Sequence, residues 1–356
     1  MSSTIALHGV PDVLTSDEIA QTGEYLKKLQ RANGQIPWFE GGHCDPWNHV
    51  EVAMALTICG HVENARAAYR WLAREQLGDG SWFNYYIGDR VKDARLDTNV
   101  CAYVATGLYH YVLATGDVDF AASMWPMVER AISFVLRWQL EDGTIRWSLD
   151  AQGRPEHYAL LTGSSSIFHS LCSAVALAER LGFARPEWEL ASGRLGHAVS
   201  HHPGAFAPKN EFAMDWYYPI FSGALRGTRG EYRVADGLER HVMDGLGVRC
   251  VSTNDWVTAA ETAEFVLALD ALGLTSQALD LFRCTNLHRR EDGAYWTGIA
   301  YPDRVTFPHR EVTSYTAAAV LLAADALTSS SRAAGLFRHG ELPEPLDLAE
   351  PGCPLL

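Results

Sequence analysis

The segment WLAREQLGDGSW, from Trp71 to Trp82, reads as a helix that ends at a Gln and is followed by Gly and then Trp. The same order recurs in YLKKLQRANGQIPW (25–38), in FVLRWQLEDGTIRW (134–147) and, without the Gln, in LFRCTNLHRREDGAYW (281–296). The glycines after these helices fit a period of about 52 residues if five steps separate the first from the last: Gly34, Gly80, Gly143 and Gly293. A fixed period of this length indicates a repeat architecture. The chain is therefore predicted to contain six units, two of them degenerate between the third glycine and the fourth.

Each unit also contains a second helical run, which is small and apolar around most of its circumference. These runs are PWNHVEVAMALTICG, TNVCAYVATGLYHYVL, SSSIFHSLCSAVALAERLG, WYYPIFSGALRG, WVTAAETAEFVLALDALG and VTSYTAAAVLLAADAL. Such helices are typical of a protein interior, whereas the first helix of each unit carries charge on one face. Strand signals are nearly absent. We predict an all-α fold, an (α/α)6 barrel of six inner and six outer helices in one domain (residues 15–328), followed by a Pro-rich C-terminal tail (residues 329–356) that is a strap or a loose end.

Composition and charge narrow the class of partner. The 356 residues are 47% hydrophobic, and 43 acidic against 29 basic side chains give a net charge of −14. A strongly acidic protein repels polyanions, so nucleic acid and anionic membranes are not expected partners. Seven cysteines without a CxxC pair, no basic and apolar leader, and no apolar run of eighteen residues indicate a cytoplasmic protein without membrane insertion. An oligomer remains possible.

The barrel prediction also places the site. The loop from each outer helix to its inner helix must emerge at one end of the barrel, and the long loops (83–96, 148–162 and 297–310) all lie there, whereas the return turns are short. Long loops are usually functional. Ten aromatic residues fall at or near this end, where they either wall a cleft or pack between the barrel helices: Trp82, Tyr85, Tyr86, Trp147, Trp216, Tyr217, Tyr218, Trp256, Trp296 and Tyr301.

The outer-helix segments resemble the QW repeats of the prenyltransferase and squalene-cyclase superfamily, whose folds are α/α barrels. The best match is WLAREQLGDGSW, and the resemblance covers about four of the six units. The resemblance does not extend to the catalytic motifs of that superfamily. The D-x-D-D acid motif of the cyclases is absent, and neither the zinc set nor the basic diphosphate site of the prenyltransferases can be placed.

At the level of the whole chain, the sequence resembles actinobacterial proteins loosely labelled prenyltransferase-like, among them endo-α-mannosidases of mycobacterial methylmannose polysaccharide. This resemblance rests on length, the six-unit organisation and acidic, Trp-rich segments before the inner helices. It implies a glycoside hydrolase that acts on an intracellular α-1,4-linked mannan, with an oligosaccharide or polysaccharide as substrate.

Glycosidic cleavage needs two carboxyl groups, one as acid and one as base or nucleophile. Asp45 precedes Pro46, a natural first helical residue, so it is either a helix N-cap or a general base in the barrel mouth; Glu51 is its possible buried partner. Glu261 lies in an Ala-rich inner helix, where burial would raise its pKa as a general acid requires, unless it is held in a structural ion pair. With neighbouring helices about 9 Å apart, Asp45 and Glu261 two units apart leave room for a water, which favours inversion.

Other polar and aromatic residues near the mouth are candidates for sugar binding. Acidic N-cap candidates can bond hydroxyl groups, and aromatic planes can stack on sugar rings. The predicted substrate-binding residues are Trp47, His49, Asp97, Asp215, Trp216, Tyr217, Trp256, Glu264, His309 and Glu311.

No metal and no cofactor are predicted, because no metal-ligand spacing or nucleotide fingerprint occurs. Two other functions remain open. A terpene cyclase or prenyltransferase-like enzyme would use the aromatic side chains in a closed apolar cavity, and a carbohydrate-binding barrel would lack catalysis.

Overall fold

The computed structural model describes residues 6–344, 346 and 348, and these are mostly helical. Local sequence explains several helix starts: Thr15 and Glu18 form a capping box at the first helix, and Asp45 caps the second immediately before Pro46. The helices are α1 (Ser16–Leu29), α2 (Pro46–Ile58), α3 (Val62–Glu75), α4 (Thr98–Ala102), α5 (Val104–Thr115), α6 (Val118–Leu136), α7 (Leu161–Arg180), α8 (Pro186–His201), α9 (Ala213–Phe221), α10 (Gly227–His241), α11 (Ala259–Ala271), α12 (Thr275–Arg283) and α13 (Ser314–Thr328).

Two kinds of helix alternate along the chain. In α2 every residue but Asn48 is buried, and α5, α7, α9, α11 and α13 are buried along most of their length. In contrast, α3 buries one stripe (Ala65, Ala68, Tyr69, Trp71 and Leu72) and exposes charged residues on the other face. The buried helices are therefore the small, apolar runs that the sequence analysis assigned to the interior.

The buried helices contact one another in a cyclic order. α2 packs against α5, α5 against α7, α7 against α9, α9 against α11, α11 against α13, and α13 against α2. α4 continues into α5 through Tyr103. The more exposed helices lie outside, for example α3 on α2, α8 on α7, and α12 on α11.

The repeated Gln and Gly join each outer helix to the next. Gln76, after α3, donates from Nε2 to the carbonyl of Gly80 and to that of Met127 in α6, both at 2.9 Å. Gly80 has a φ of +97°, and a Cβ there would clash with the carbonyl of Arg130. Corresponding bonds are made by Gln30 to α3 and by Gln139 to α8.

The unit that lacks the Gln uses another residue for the same purpose. Gln21 of α1 donates to the carbonyl of Glu291, and Arg289 donates to Gln21 Oε1 at 2.6 Å. Gly293 has a φ of +84° and lies against the backbone of Gln21. The turn after α12 thus contacts α1 in the way that earlier turns contact the next outer helix, and it connects the last outer helix to the first.

The loops contain short strands, so the expectation of an all-α chain without strands is wrong there. They form two two-stranded pairs and an antiparallel five-stranded sheet of order β5-β6-β7-β8-β9. Strands of two to four residues are too short to give a period-two signal in the sequence. Their bounds are β1 (Tyr85–Ile87), β2 (Arg90–Asp93), β3 (Leu96–Asp97), β4 (Ser148–Leu149), β5 (Val242–Met243), β6 (Gly247–Arg249), β7 (Trp256–Thr258), β8 (Gly298–Ala300) and β9 (Val305–Thr306).

The described part of the C-terminal tail packs against the C-terminal ends of the buried helices. Phe337 stacks on Phe221 with ring centroids 4.5 Å apart, and Arg338 pairs with Asp270 at 2.6 Å. The backbone carbonyl of Glu341 accepts a bond from Tyr109 at 2.7 Å. This segment therefore covers one end of the helical assembly; tail residues 345, 347 and 349–356 lie outside the described residues.

Two further expectations concern the environment of the chain. Each cysteine among the described residues has a free thiol. Cys353 lies outside the described residues, and so do residues 1–5, on which the prediction about a leader segment partly rests. Within the same ranges, a single helix, α7, is both long enough and apolar enough to span a membrane. Of its most apolar stretch, 89% is buried inside the protein.

Candidate active site

A cavity of about 340 Å³ lies where the buried helices begin. It is lined from α2, α4, α7, α9, α11 and α13, and by the loops that carry β1, β3 and β4. Because the tail covers the opposite end, the cavity is at the end of the assembly where the sequence analysis placed the site. Its acidic side chains are Asp45, Asp97, Glu261 and Glu264.

Asp45 combines an N-cap with a position in the cavity lining. Its Oδ1 accepts from the backbone N–H of Asn48 at 2.9 Å, and its Oδ2 accepts from the Asn48 amide at 2.6 Å and from the Trp38 indole at 2.5 Å. The side chain is 3% exposed. Burial raises the pKa of Asp45, and these hydrogen bonds partly offset the increase because they stabilise the ionised form.

Asp97 repeats this arrangement at the start of α4. Oδ1 accepts from the backbone N–H of Val100 at 3.0 Å, and Oδ2 accepts from the Trp147 indole at 2.6 Å. Burial raises the pKa of Asp97 to about 6, with a smaller contribution from the charge of Asp45. The two aspartates are thus both helix caps, both bound by a tryptophan, and both accessible from one cavity.

Glu261 lies in the first turn of α11. Its Oε2 accepts a hydrogen bond from the hydroxyl of Thr258, the residue that precedes the helix, and the thiol of Cys250 is also hydrogen-bonded to the carboxyl. Asp255, in the exposed loop before the helix, pairs with Arg249. Glu261 is 8% exposed and lines the cavity.

Glu264 lies one turn deeper on the same helix face. The hydroxyls of Tyr217 and Tyr218 donate to its two carboxyl oxygens, the latter at 2.8 Å. Burial raises the pKa of Glu264 well above its usual range, and the charge of Glu261 adds to the increase. Burial likewise raises the pKa of Glu51, and the negative charges of Glu264 and Asp45 raise it further. The interior below the mouth therefore holds two interacting carboxyl groups.

Aromatic side chains form much of the remaining surface. Trp47 stacks on Tyr103 at 4.2 Å between ring centroids and donates to Ser166, which fixes its plane at the cavity wall. Trp38, Tyr85, Trp147, Tyr218 and Tyr315 complete the aromatic lining. Flat apolar faces beside fixed carboxylates suit a sugar ring, which presents C–H groups on its faces and hydroxyls at its edge.

Three predicted binding residues do not line the cavity. His49 lies behind it, where Nδ1 accepts from the backbone N–H of Ile36 at 3.1 Å and Nε2 bonds the carbonyl of Ala68 at 3.0 Å. Asp215 accepts from the backbone and hydroxyl of Thr162, so it caps α7 from the neighbouring helix α9. Trp216 donates to the carbonyl of Arg233. These side chains position elements around the cavity.

Four other candidates surround the site without lining it. Tyr217 reaches it only through Glu264, and Trp256 in β7 donates to the carbonyl of Phe307 at 3.0 Å. Glu311 accepts from Thr297, and His309 is exposed in the same loop. Of the predicted residues, the structure brings together Asp45, Trp47, Asp97, Glu261 and Glu264.

The sequence analysis did not single out several polar and apolar residues of the lining. These are Asn48, Asn84, Arg95, Asn99, Val100, Thr162, Met214 and Ala260. Asn48, Asn99 and Thr162 occupy the first turn of an inner helix, so position in the repeat was a usable signal for them. Arg95 had no such signal, because it lies in a short loop, where its side chain is held by a hydrogen bond to Asp93.

No group of three or more His, Cys, Asp or Glu residues suited to a metal ion occurs within residues 6–344, 346 and 348. The carboxyl groups of the cavity are instead engaged by tryptophan, asparagine, threonine and tyrosine donors.

Solved structures with a similar fold include a D-mannose isomerase and a glycosidase. A D-mannose isomerase superposes with a TM-score of 0.70 at 10% identity, covering 88% of this chain and 96% of that chain. A wild-type glycosidase superposes with a TM-score of 0.64 at 14% identity, covering 88% of this chain and 97% of that chain. At such low identity these similarities show the fold alone, which is α/α-barrel-like.

The sequence comparisons are more specific. No protein-family profile matches the chain. A relative from Mycolicibacterium hassiacum, MMP endo-(1,4)-3-O-methyl-alpha-D-mannosidase, is 49% identical over 342 residues, covering 96% of this chain and 95% of the relative. Together with the fold and the acidic, aromatic cavity, this similarity identifies a glycoside hydrolase. The chain belongs to the family of that mannosidase. The predicted link to the prenyltransferase and squalene-cyclase superfamily stays a prediction.

Proposed function

We propose that this protein cleaves internal α-(1,4) linkages of a methylmannose polysaccharide. The relative's activity suggests the substrate. The observation that carries the proposal is the cavity, in which Asp45 and Glu261 lie among aromatic side chains at one end of the helical assembly. The lining also carries Asn48, Asn84, Arg95, Asn99 and Thr162, and these hydrogen-bonding groups suit the hydroxyls of a sugar better than the carbocation of a terpene cyclase.

Asp45 is the proposed general base. A base must be ionised before it can take a proton from water, and three donors to its carboxylate favour that state in a buried position. Its contact with the Asn48 backbone at the start of α2 also holds the carboxylate rigidly. Asp97 has the same kinds of partner and is the alternative base.

Glu261 is the proposed general acid. It lies in the first turn of α11, where its carboxyl group lines the cavity beside the aromatic side chains. Thr258 fixes one carboxyl oxygen. In this role Glu261 gives its proton to the glycosidic oxygen as the bond to the anomeric carbon breaks, and Asp45 takes a proton from the water that attacks that carbon.

The helix positions favour inversion of the anomeric configuration. Asp45 caps α2 and Glu261 begins α11, and these helices are separated by α13. With neighbouring helix axes about 9 Å apart, carboxyl groups two helices apart are expected about 7–10 Å from each other. Inverting glycosidases need such a gap for the water, whereas retaining enzymes place the two groups about 5 Å apart.

We also propose the finer architecture, an (α/α)6 barrel of six inner and six outer helices that spans residues 15–328 as the catalytic domain. The cyclic packing order of the buried helices supports it, with α4 and α5 counted as one inner helix interrupted at Tyr103. The net charge and the free thiols are consistent with a cytoplasmic location.

The test is incubation of the protein with 3-O-methylated and unmethylated α-(1,4)-mannooligosaccharides and with α-glucooligosaccharides, followed by separation of the products. Shortening of the mannosides to fragments of intermediate length is expected. Release of single sugars only would contradict endo action, and unchanged mixtures would favour a binding protein. Proton NMR of the fresh hydrolysate should show the β-anomer first; an initial α-anomer would contradict inversion.

Hydrolysis by two carboxyl groups requires no metal. Activity is therefore expected to survive exhaustive treatment with EDTA. Loss of activity that Ca²⁺ or Zn²⁺ restores would contradict the proposed mechanism.

A further inference from the structure

The cavity lining includes aliphatic side chains as well as polar and aromatic ones. Met214 on α9 and Ala260 on α11 are two of them, and we call this pair the apolar wall. α9 packs directly against α11, so the two residues lie on neighbouring helices. Met214 is only half-buried, which leaves part of its side chain at the cavity surface.

The apolar wall lies among groups that suit hydroxyls. Thr162 belongs to α7, which packs against α9, and Glu261 follows Ala260, and both line the same cavity. A sugar hydroxyl placed against the apolar wall would lose its hydrogen bonds to water without replacement, which costs free energy. A methyl ether has no donor hydrogen and gains from apolar contact.

We propose that the apolar wall binds O-methyl groups of the substrate and gives the enzyme its preference for methylated over unmethylated mannan. This inference rests on the proposed function. Met214 is suited to the role because its flexible thioether side chain adapts to small apolar groups. Ala260 is adjacent to Glu261, so a methyl group bound there would also help to place the scissile bond at the proposed acid.

The experiment compares kcat/KM for a 3-O-methylated and an unmethylated α-(1,4)-mannooligosaccharide of equal length. One methyl group in an apolar pocket contributes roughly a 10- to 200-fold discrimination. Met214→Gln preserves side-chain length and introduces polarity, so it should lower the ratio of the two kcat/KM values at least tenfold. Met214→Leu should keep the ratio within about threefold of the native value, because the pocket stays apolar.

Two further variants make the result independent of folding. Ala260→Ser adds a hydroxyl to the other residue of the apolar wall and should also lower the ratio. Met124→Gln, the same substitution at a half-buried position of the outer helix α6, should leave both rates unchanged.

The outcomes separate this inference from the function on which it rests. A native enzyme that cleaves neither mannoside refutes the proposed function. A native enzyme that cleaves both equally, or a Met214→Gln variant that loses both activities in parallel, leaves the proposed function intact and overturns methyl recognition by the apolar wall.

Discussion

Asp45 and Asp97 have the same two kinds of partner, a helix N-terminus and a tryptophan indole. Trp38 donates to Asp45 at 2.5 Å, and Trp147 donates to Asp97 at 2.6 Å. Each pair joins the Trp that ends a repeat segment to the Asp that caps an inner helix. Because each tryptophan contacts a different aspartate, the two indoles can be removed one at a time to identify the base.

The first residue-scale prediction concerns pH. Trp38→Phe removes a donor that stabilises the ionised form of Asp45, so the pKa of Asp45 should rise and the acid limb of kcat/KM should move to higher pH. A hydrogen bond to a charged group contributes about 1.5–3 kcal/mol, which corresponds to about one pH unit or more. Trp147→Phe is the matched control and should leave the acid limb unmoved. The reverse pattern would show that Asp97 is the base.

The second prediction concerns the proposed acid and base themselves. Asp45→Asn and Glu261→Gln should each lower kcat by about 10²–10⁴-fold, because each removes a proton-transfer group but keeps its shape. The melting temperature should change little. Asp325→Asn, at a buried carboxyl bonded to Ser331 far from the cavity, is the control and should retain kcat. Near-native kcat in either first variant would remove that residue from the mechanism.

At the scale of elements, the outer helices are held together by a turn that recurs with small changes. The Gln side chain binds its own turn and the next outer helix, and the Gly lets the two backbones approach. Where the Gln is missing, Gln21 reaches the turn from the other side. The Gln and Gly of the motif therefore stabilise neighbouring outer helices against one another, whereas the Trp that follows them contacts a cavity aspartate in two of the units.

Gly80 provides the test of this role. Gly80→Ala forces a residue with a Cβ into a φ of +97° and into the Arg130 carbonyl, so it should lower the free energy of unfolding by about 1–3 kcal/mol or more. Gly78→Ala, two residues earlier with open space around the new Cβ and no positive φ, should have little effect. Urea unfolding of the two variants measures the difference; equal stability would show that the close approach is dispensable.

At the scale of the whole molecule, the two ends of the helical assembly differ. The N-terminal ends of the buried helices surround the cavity, and the segment after α13 covers their C-terminal ends. Arg338 is the central polar contact of this cover, because it pairs with the buried Asp270 and donates to the carbonyl of Ala326. One end can therefore admit a polysaccharide while the other stabilises the fold.

Removal of this contact should affect stability and leave catalysis unchanged. Arg338→Ala leaves the carboxylate of Asp270 buried without its partner, so the free energy of unfolding should fall by about 1.5–3 kcal/mol while kcat of the folded enzyme is retained. Arg332→Ala, at an exposed position of the same segment, should change stability by less than about 0.5 kcal/mol. Thermal unfolding and kcat of both variants check this, and a fall in kcat for Arg338→Ala would contradict a purely structural role.

The sequence by itself determined the helical character, the alternation of buried and exposed helices, and the end of the assembly at which the cavity lies. These properties follow from periodicity, because an apolar circumference predicts burial and a repeated Gln and Gly mark equivalent turns. It also picked out Asp45 and Glu261, since a cap before Pro46 and a carboxyl in an Ala-rich helix are local features.

Only the tertiary structure decided which candidates meet in one cavity. His49 has its ring nitrogens turned to the backbone of Ile36 and Ala68, and Asp215 caps a neighbouring helix, although both lie near the start of an inner helix, as Asp45 does. Arg95 entered the lining without any signal in the sequence. The physical reason is that helical periodicity fixes which face of a helix is buried, whereas the direction of each polar side chain depends on donors and acceptors that neighbouring helices and short loop strands bring from distant parts of the chain.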